Sequence, residues 1–188
     1  SKIWLNDGNG VFTDSGQDLT HLGHGIGIGD LDGDNDQDLA VTNFADDNVA
    51  ILLNNGNGTF QPVVTYVTAD GPGWIYSTDL DGDNDNDLAV SNRWSNNVSI
   101  LLNNGNATFQ TAVNYLADDQ PVSVSADDLD NDGDKDLSVA NYNSNNVSVL
   151  FNNGNGTFTS IGNYAAGDGP ASHVAVDLDG DNLIDLAV

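Results

Sequence analysis

The twelve residues "DLDGDNDQDLAV", at 30–41, carry the pattern from which the organisation of this chain follows. Aspartate stands at every second position of a nine-residue segment, and a short apolar run follows at once. We number the nine positions from Asp30, so that Asp38 is position 9. Because alternate side chains of a loop can turn toward one centre, the pattern indicates a loop that gathers several carboxylates ahead of a strand.

The acidic segment is the first of four copies. It recurs as "DLDGDNDNDLAV" from Asp79, "DLDNDGDKDLSV" from Asp128 and "DLDGDNLIDLAV" from Asp177, and successive copies start 49 residues apart. A second motif recurs in step, since "LNDGNGVF" from Leu5 is followed by "LNNGNGTF", "LNNGNATF" and "FNNGNGTF" at intervals of 48, 49 and 49 residues. Two motifs with one period indicate a repeat protein with a unit of about 49 residues.

Each unit contains signals for four short strands. In the first complete unit these are residues 24–29, 38–43, 48–54 and 59–66, which are rich in β-branched, aromatic or alternating apolar residues and are separated by Gly, Asn and Asp. The "NNGNG" segment indicates a hairpin between the third and fourth strands, because Asn-Gly supplies the positive φ angles of a tight turn. Four antiparallel strands per unit are typical of a β-propeller blade. The rival interpretation is a parallel β-helix. It is disfavoured because its coils are shorter than this unit and would not need two distinct types of loop per unit.

The predicted fold class is therefore all-β, a β-propeller of four-stranded antiparallel blades that forms a single domain or propeller segment over residues 1–188. Three complete repeats are predicted, and a half-blade flanks them on each side. The two half-blades are complementary, so the chain either closes as four blades or forms part of a larger ring. The predicted repeats are approximately 24–72, 73–121 and 122–170, with half-blades at 1–23 and 171–188.

The composition excludes several classes of partner. The 188 residues include 29 acidic residues, all of them aspartate, against 3 basic residues, and the formal net charge is -26. Such a field repels nucleic acids and anionic membrane surfaces and attracts cations. The chain has no cysteine for disulfides or thiolate chemistry, and no apolar stretch approaches the ~20 residues of a membrane span. Since the sequence starts with Ser1 rather than Met, we expect a processed, excised or partial product.

The acidic loops are predicted to bind about four Ca²⁺ ions, one per loop. Aspartates at positions 1, 3, 5 and 9 offer hard oxygen ligands, and position 7 is expected to ligate through its backbone carbonyl, because the fourth copy has Leu183 there. Position 6 is Asn or Gly, which tolerates the left-handed conformation of a sharp turn. Magnesium is the weaker candidate because it prefers fewer carboxylates. The predicted metal residues are Asp30, Asp32, Asp34, Asp36 and Asp38; Asp79, Asp81, Asp83, Asp85 and Asp87; Asp128, Asp130, Asp132, Asp134 and Asp136; and Asp177, Asp179, Asp181, Leu183 and Asp185.

These motifs resemble those of a known family. The segments "GDLDGDNDQDLAV" and "VSVLFNNGNGTF" are similar to the FG-GAP or VCBS repeats of integrin α-subunit propellers, of fungal lectins with that fold and of many secreted bacterial proteins. The resemblance covers essentially the whole chain. It implies a ring of seven blades more often than four, with a calcium ion between the first and second strands of each blade.

A non-catalytic role is expected. The chain has no Cys nucleophile, no Gly-x-Ser-x-Gly turn and no glutamate. Aromatic residues beside polar ones make a carbohydrate-binding module one alternative, with Phe44, Trp74, Arg93, Trp94 and Tyr142 as candidates, although side chains just after the second strand can instead pack on a neighbouring blade. An accessory propeller of a secreted enzyme is a further alternative.

The leading prediction is an extracellular or cell-surface scaffold for adhesion or structural assembly. Loops of this kind typically bind calcium at ~10⁻⁴–10⁻³ M, a concentration that extracellular fluid offers and the cytosol does not. Expected partners are other protein chains, which would pair with edge strands and build a homo-oligomer or filament, or extracellular glycans. No membrane insertion is expected. Glycosylation sequons begin at Asn57, Asn97, Asn106, Asn146 and Asn155.

Overall fold

The computed structural model describes residues 2–18 and 23–188, and every regular element in these ranges is a β-strand. No helix in the described part of the chain is long and apolar enough to cross a membrane. The predicted half-blade at 1–23 extends over Ser1 and residues 19–22, which lie outside the described residues. The strands are β1 (Lys2–Asn6), β2 (Phe12–Asp18), β3 (Ile26–Gly29), β4 (Asp38–Asn43), β5 (Asn48–Leu52), β6 (Val64–Val67), β7 (Pro72–Thr78), β8 (Asp87–Asn92), β9 (Asn97–Leu101), β10 (Val113–Leu116), β11 (Pro121–Asp127), β12 (Asp136–Asn141), β13 (Asn146–Asn152), β14 (Phe158–Ala165), β15 (Val174–Val176) and β16 (Asp185–Ala187).

The strands form three four-stranded antiparallel sheets, β3–β6, β7–β10 and β11–β14, in which neighbours in sequence are neighbours in space. The register repeats from sheet to sheet, since Leu39 opposes Leu52 in the first sheet and Leu88 opposes Leu101 in the second. The innermost strands β3, β7, β11 and β15 lie side by side. These features confirm the predicted all-β propeller of four-stranded blades.

Two further sheets have two strands each. One is β1–β2, which corresponds to the last two strands of a blade, and the other is β15–β16, which corresponds to the first two. Among the described residues the two pairs are separate sheets, so closure of the ring by their pairing is not observed. Whether the chain closes as four blades or belongs to a larger ring stays a prediction.

The apolar core lies between consecutive blades. One cluster joins Leu31 and Val49 of the first complete blade to Ile75 and Leu88 of the second, and an equivalent cluster joins the second blade to the third. Each such interface also has a tyrosine of one blade edge-on to a phenylalanine of the next, with ring centroids 5.2 and 5.4 Å apart. Blades are therefore stabilised mainly by their neighbours, as stacked repeats usually are.

One predicted strand is shorter than expected. The segment 59–66 was expected to be continuous, but β6 begins only at Val64, and Phe60 makes an isolated bridge to Asn54. Pro62 lies in the gap and has no N–H for a sheet hydrogen bond. The second blade has the same interruption without a proline, since β10 begins only at Val113 and Phe109 bridges Asn103, so Pro62 does not explain it. In the third blade β14 runs without a break from Phe158.

Glycines on β3 allow the first two complete blades to approach closely. A Cβ on Gly25 would lie 2.6 Å from the carbonyl oxygen of Gly73, and one on Gly29 would lie 2.9 Å from the Ser77 hydroxyl. The alternating "GIGIG" segment therefore places its side-chain-free face against β7, where larger residues would not fit.

Candidate metal centres

Aspartates from positions 1, 3 and 9 come together in every acidic loop. One carboxylate oxygen from each of the three lies within 4.8 Å of the oxygens from the other two. The carboxylates at position 5 do not belong to these groups. The groups, which we call the aspartate triads, are Asp30, Asp32 and Asp38; Asp79, Asp81 and Asp87; Asp128, Asp130 and Asp136; and Asp177, Asp179 and Asp185.

The position 1 aspartate is oriented by the backbone of its own loop. In the second loop, Asp79 accepts hydrogen bonds from the N–H groups of Gly82 at 2.8 Å and Asn84 at 2.9 Å. In the fourth loop, backbone hydrogen bonds of this kind lower the pKa of Asp177, and the bond from the N–H of Gly180 contributes most. The loop thus curls around a carboxylate that its own backbone holds in place.

The position 9 aspartate ties the loop to the hairpin of the same blade. Asp87 is fully buried and accepts from the N–H of Leu80 at 2.8 Å and from that of Asn103 at 2.7 Å. Burial raises the pKa of Asp87 to about 7, the carboxylates of Asp81 and Asp83 add to the increase, and the two N–H bonds oppose it. Asp38 and Asp136 make the same pair of bonds.

The position 3 aspartate supplies an oxygen without a partner. Among the described residues, Oδ1 of Asp81 is a buried oxygen that accepts no hydrogen bond. Burial raises the pKa of Asp81, and the charges of Asp83 and Asp79 raise it further. A buried, unpaired carboxylate oxygen among other carboxylates is costly unless a cation or a proton neutralises it. The triad therefore fits a hard cation that prefers oxygen ligands, such as calcium.

The carboxylates at positions 5 and 7 take part in other contacts. Asp34 accepts a hydrogen bond from the N–H of Asp36 at 2.8 Å, as its counterparts do in the other three loops. Asp36 lies over the hairpin, where its Oδ2 would be 2.6 Å from a Cβ on Gly56. Ligation by position 5 side chains and by position 7 carbonyls therefore stays a prediction.

The backbone of the loop has two left-handed turns. The predicted one, at position 6, is confirmed, with φ of 71° at Asn35, 72° at Asn84, 101° at Gly133 and 68° at Asn182. The second, at position 4, was not predicted. In the sequence this position is Gly in the first, second and fourth copies and Asn131, with φ of 64°, in the third. Both residue types tolerate a positive φ, and this is the local signal for the turn.

The sequons fall into two structural groups. Asn57, Asn106 and Asn155 are exposed in the hairpins, where Asn57 accepts hydrogen bonds from the backbone and hydroxyl of Thr59. Asn97 and Asn146 are half-buried, and Asn146 donates to Asp118 at 2.7 Å. Glycosylation stays a prediction, and the exposed hairpin group is the more accessible one.

The aromatic candidates lie at the opposite end of the sheets from the triads. The rings of Phe44 and Trp94 are edge-on with centroids 4.5 Å apart, and His24 lies 4.6 Å from Phe44. His24 and Phe44 line a cavity of about 150 Å³ together with Trp74 and Arg93. These side chains from neighbouring blades thus pack on one another, as expected for the loop after the second strand, but Trp94 remains largely exposed.

The repeat architecture and the acidic loops define a β-propeller whose blades each carry a candidate cation site. The FG-GAP-like repeat matches this chain three times, over residues 30–90, 79–139 and 128–188. The chain belongs to the FG-GAP-like repeat family. Among curated proteins, the comparison found no match.

Solved structures support the same fold. An Agrocybe aegerita lectin, described as recognising non-reducing terminal N-acetylglucosamine, is 25% identical, with a TM-score of 0.60 over 85% of this chain and 44% of the lectin. BBS1N in complex with ARL6DN is 17% identical, with a TM-score of 0.59 over 83% of this chain and 48% of that one. A proposed 6-phosphogluconolactonase from Bacteroides fragilis is 19% identical, with a TM-score of 0.56 over 80% and 39%. The chain thus spans less than half the length of these relatives.

Proposed function

We propose that the protein is a non-catalytic extracellular scaffold for adhesion or structural assembly, in which each acidic loop binds one Ca²⁺ ion and stiffens its blade. The observation that carries this proposal is the aspartate triad, four times repeated, with a buried and unpartnered oxygen on Asp81. Calcium would satisfy that oxygen and remove the repulsion among the three carboxylates.

Binding would stabilise the blade as a unit. Asp87 is bonded to the start of the acidic loop and to the hairpin, so an ion held by its triad connects both loops at that end of the sheet. Any ligand that binds the native state alone raises the free energy of unfolding. An affinity in the ~10⁻⁴–10⁻³ M range would restrict this stabilisation to calcium-rich surroundings outside the cell.

Calcium titration of two matched variants tests the proposal. Asp81→Asn removes the unpartnered carboxylate, whereas Asp85→Asn makes the same change in charge in the same loop at a side chain that lies over the hairpin. We expect calorimetry to count four ions in the unmodified protein. Asp81→Asn should weaken one site by about tenfold or more, and Asp85→Asn should have a much smaller effect.

Two results would contradict the calcium proposal. One is an unchanged melting temperature when excess chelator removes calcium, because the linkage between binding and stability would then be missing. The other is an equal loss of affinity in both variants, which would mean that general acidity, rather than the triad, attracts the ion.

Carbohydrate recognition is the second candidate function. It is supported by the exposed ring of Trp94 beside Phe44 and Arg93, and by the similarity to a lectin described as recognising N-acetylglucosamine. A glycan array that includes this sugar, probed with the protein and with Trp94→Asn, tests it. The substitution copies Asn143 of the next blade, so the fold should tolerate it. Specific binding that the variant loses would favour a lectin, and equal signals from both proteins would exclude this site.

A further inference from the structure

A second cavity lies against the innermost strands, and one of its lining residues, Asp127, directly precedes the triad residue Asp128. It has a volume of about 570 Å³ and is lined by residues of β3, β7, β11 and β15, or directly before β15. Small-molecule sites commonly have volumes of about 300–1,000 Å³. The cavity is therefore large enough for a compact ligand. Neither the proposed calcium sites nor the proposed glycan site at Trp94 assigns a ligand to it.

The residues that line this cavity at equivalent strand positions differ from blade to blade, although the acidic loops are nearly identical. Equivalent positions at the start of the innermost strands are Gly25 in the first complete blade, Trp74 in the second, Ser123 in the third and Ser172 beside β15. Two residues further on they are glycine, tyrosine, serine and valine. The cavity is thus one asymmetric site rather than a set of four equivalent ones.

Two aromatic rings form one wall. Trp74 and Tyr76 are two residues apart on β7, so their side chains project from the same face of the strand. They remain 47% and 36% exposed, and the aliphatic side chains of Ile26, Ile28 and Val174 in the same lining are exposed as well. Exposed aromatic faces of this kind attract organic cations through the ring quadrupole.

The charged group of the lining is a carboxylate. Asp127, at the end of β11, lines the same cavity, and no Lys or Arg does. Burial raises the pKa of Asp127, and the charge of Lys135 in the neighbouring acidic loop opposes that increase. His173 is buried, and burial lowers its pKa below 6.5, so its imidazole is neutral at pH 7. With a net charge of -26 for the chain, the cavity favours a positive ligand over an anion.

Few polar side-chain atoms of the lining are both accessible and free, because Oγ of Ser77 and Nδ1 of His173 have no partner among the described residues but are buried, and Ser125 is hydrogen-bonded. Ser125 is 2.8 Å from the hydroxyl of Ser138, and both lie within 2.9 Å of Nε2 of His173. Ser123 is buried. A saccharide would need several accessible hydrogen-bonding groups around its ring, whereas a compact organic cation needs only aromatic faces and a counter-charge.

We propose that this cavity binds a small organic cation, a primary or quaternary ammonium group, which sits over Trp74 and Tyr76 with Asp127 as its counter-charge. The proposal goes beyond the scaffold function and is independent of it, because none of these three residues belongs to an aspartate triad.

Calorimetry with choline and 3,3-dimethylbutan-1-ol, which has the same shape without the charge, tests the proposal. Calcium and ionic strength are held constant, so that loss of the triad sites cannot be mistaken for loss of the cavity. We expect choline to bind about tenfold more tightly than the neutral alcohol, a ratio typical of cation–π recognition in a partly desolvated site.

Variants that copy equivalent residues of other blades identify the site. Trp74→Ser copies Ser123 and Asp127→Thr copies Thr78, and each should reduce choline affinity by about tenfold. Lys135→Gln copies Gln37 and should increase it about twofold, because it removes the opposing charge. Trp94→Asn, which removes the ring that packs on Phe44, should leave choline binding unchanged, and melting curves verify that each variant is folded.

Three results would overturn the proposal. Equal affinities for choline and the alcohol would show an apolar pocket without charge recognition. Binding of N-acetylglucosamine that Trp74→Ser abolishes, without choline binding, would show a saccharide site instead. Choline affinity that is absent, or that only Trp94→Asn reduces, would exclude this cavity.

Discussion

Single aspartates illustrate how position assigns different roles to one residue type. Asp79 is held by two backbone N–H groups, Asp87 joins two loops from a buried position, and Oδ1 of Asp81 is left without a partner. Asp85 packs instead over Gly105 of the hairpin. All four side chains carry the same carboxylate group. Their environments in the fold therefore determine how well each of them can bind a cation.

The raised pKa of Asp87 predicts a pH dependence that calcium reverses. Its pKa is 3.8 in the unfolded chain and about 7 in the fold, so the native state binds more protons between these values. The stability that protonated Asp87 contributes is complete below pH 4 and is lost as the pH rises through 7. With calcium present, binding requires the carboxylate, and stability should instead increase over the same range.

Melting curves from pH 5 to pH 8, with chelator and with excess calcium, measure this effect. The two series should slope in opposite directions. Slopes of the same sign would show that calcium does not take the place of the proton at this residue.

Individual strands are positioned by a few residues that determine how closely two elements can approach. Directly before β3, a Cβ on Gly25 would lie 2.6 Å from the carbonyl oxygen of Gly73 in the next blade. On the facing strand, a Cβ on Gly73 would have its nearest neighbour at 3.9 Å. Neither glycine has a positive φ, so the two positions differ from each other only in the space available for a side chain.

Alanine at these two positions should therefore have opposite effects. Gly25→Ala forces the backbones of β3 and β7 apart and should lower the free energy of unfolding by about 1–3 kcal/mol. Gly73→Ala meets only ordinary contacts and restricts the unfolded chain, so it should be neutral or stabilising by about 0.5–1 kcal/mol. Denaturant unfolding of both variants measures the difference, and equal effects would mean that the glycines do not control the approach of the blades.

The arrangement of the blades leaves apolar surface on the two-stranded sheets. Trp4 on β1 is 56% exposed, whereas Leu52, at the equivalent place in the first complete blade, is 2% exposed. By the register of the other blades, Leu186 of β16 would oppose Trp4 if β16 paired with β1. Pairing of β1 with β16, within one chain or between two chains, would cover this surface.

A polypeptide of these 188 residues is therefore expected to associate in calcium. Light scattering should give multiples of 19.7 kDa that grow with concentration, and Trp4→Asp should reduce them. Trp94→Asn, which changes an exposed tryptophan far from β1, serves as the control. A compact monomer with and without calcium would argue against assembly and would favour a ring that closes on itself.

Much of the fold and part of the candidate site could be predicted from the sequence. The strand order, the hairpins and the left-handed turn at position 6 depend on local chemistry, namely alternation, Asn-Gly pairs and residues that tolerate positive φ. The turn at position 4 has a local signal too, in the Gly-to-Asn exchange at Asn131, whereas the interruption before Val64 recurs before Val113 without a proline. The direction of each carboxylate has no such signal, because it depends on which N–H groups the folded loop presents.

The repeat period, the all-β class and the identity of the acidic loops were thus contained in the order of the residues, since each depends on neighbours within a few positions. The packing of blades determined the rest. It buried Asp87, isolated Oδ1 of Asp81 and brought Trp74, Tyr76 and Asp127 around one cavity. Trp74 and Asp127 are 53 residues apart in the chain, and no local pattern relates them, because their proximity results from how one blade packs against the next.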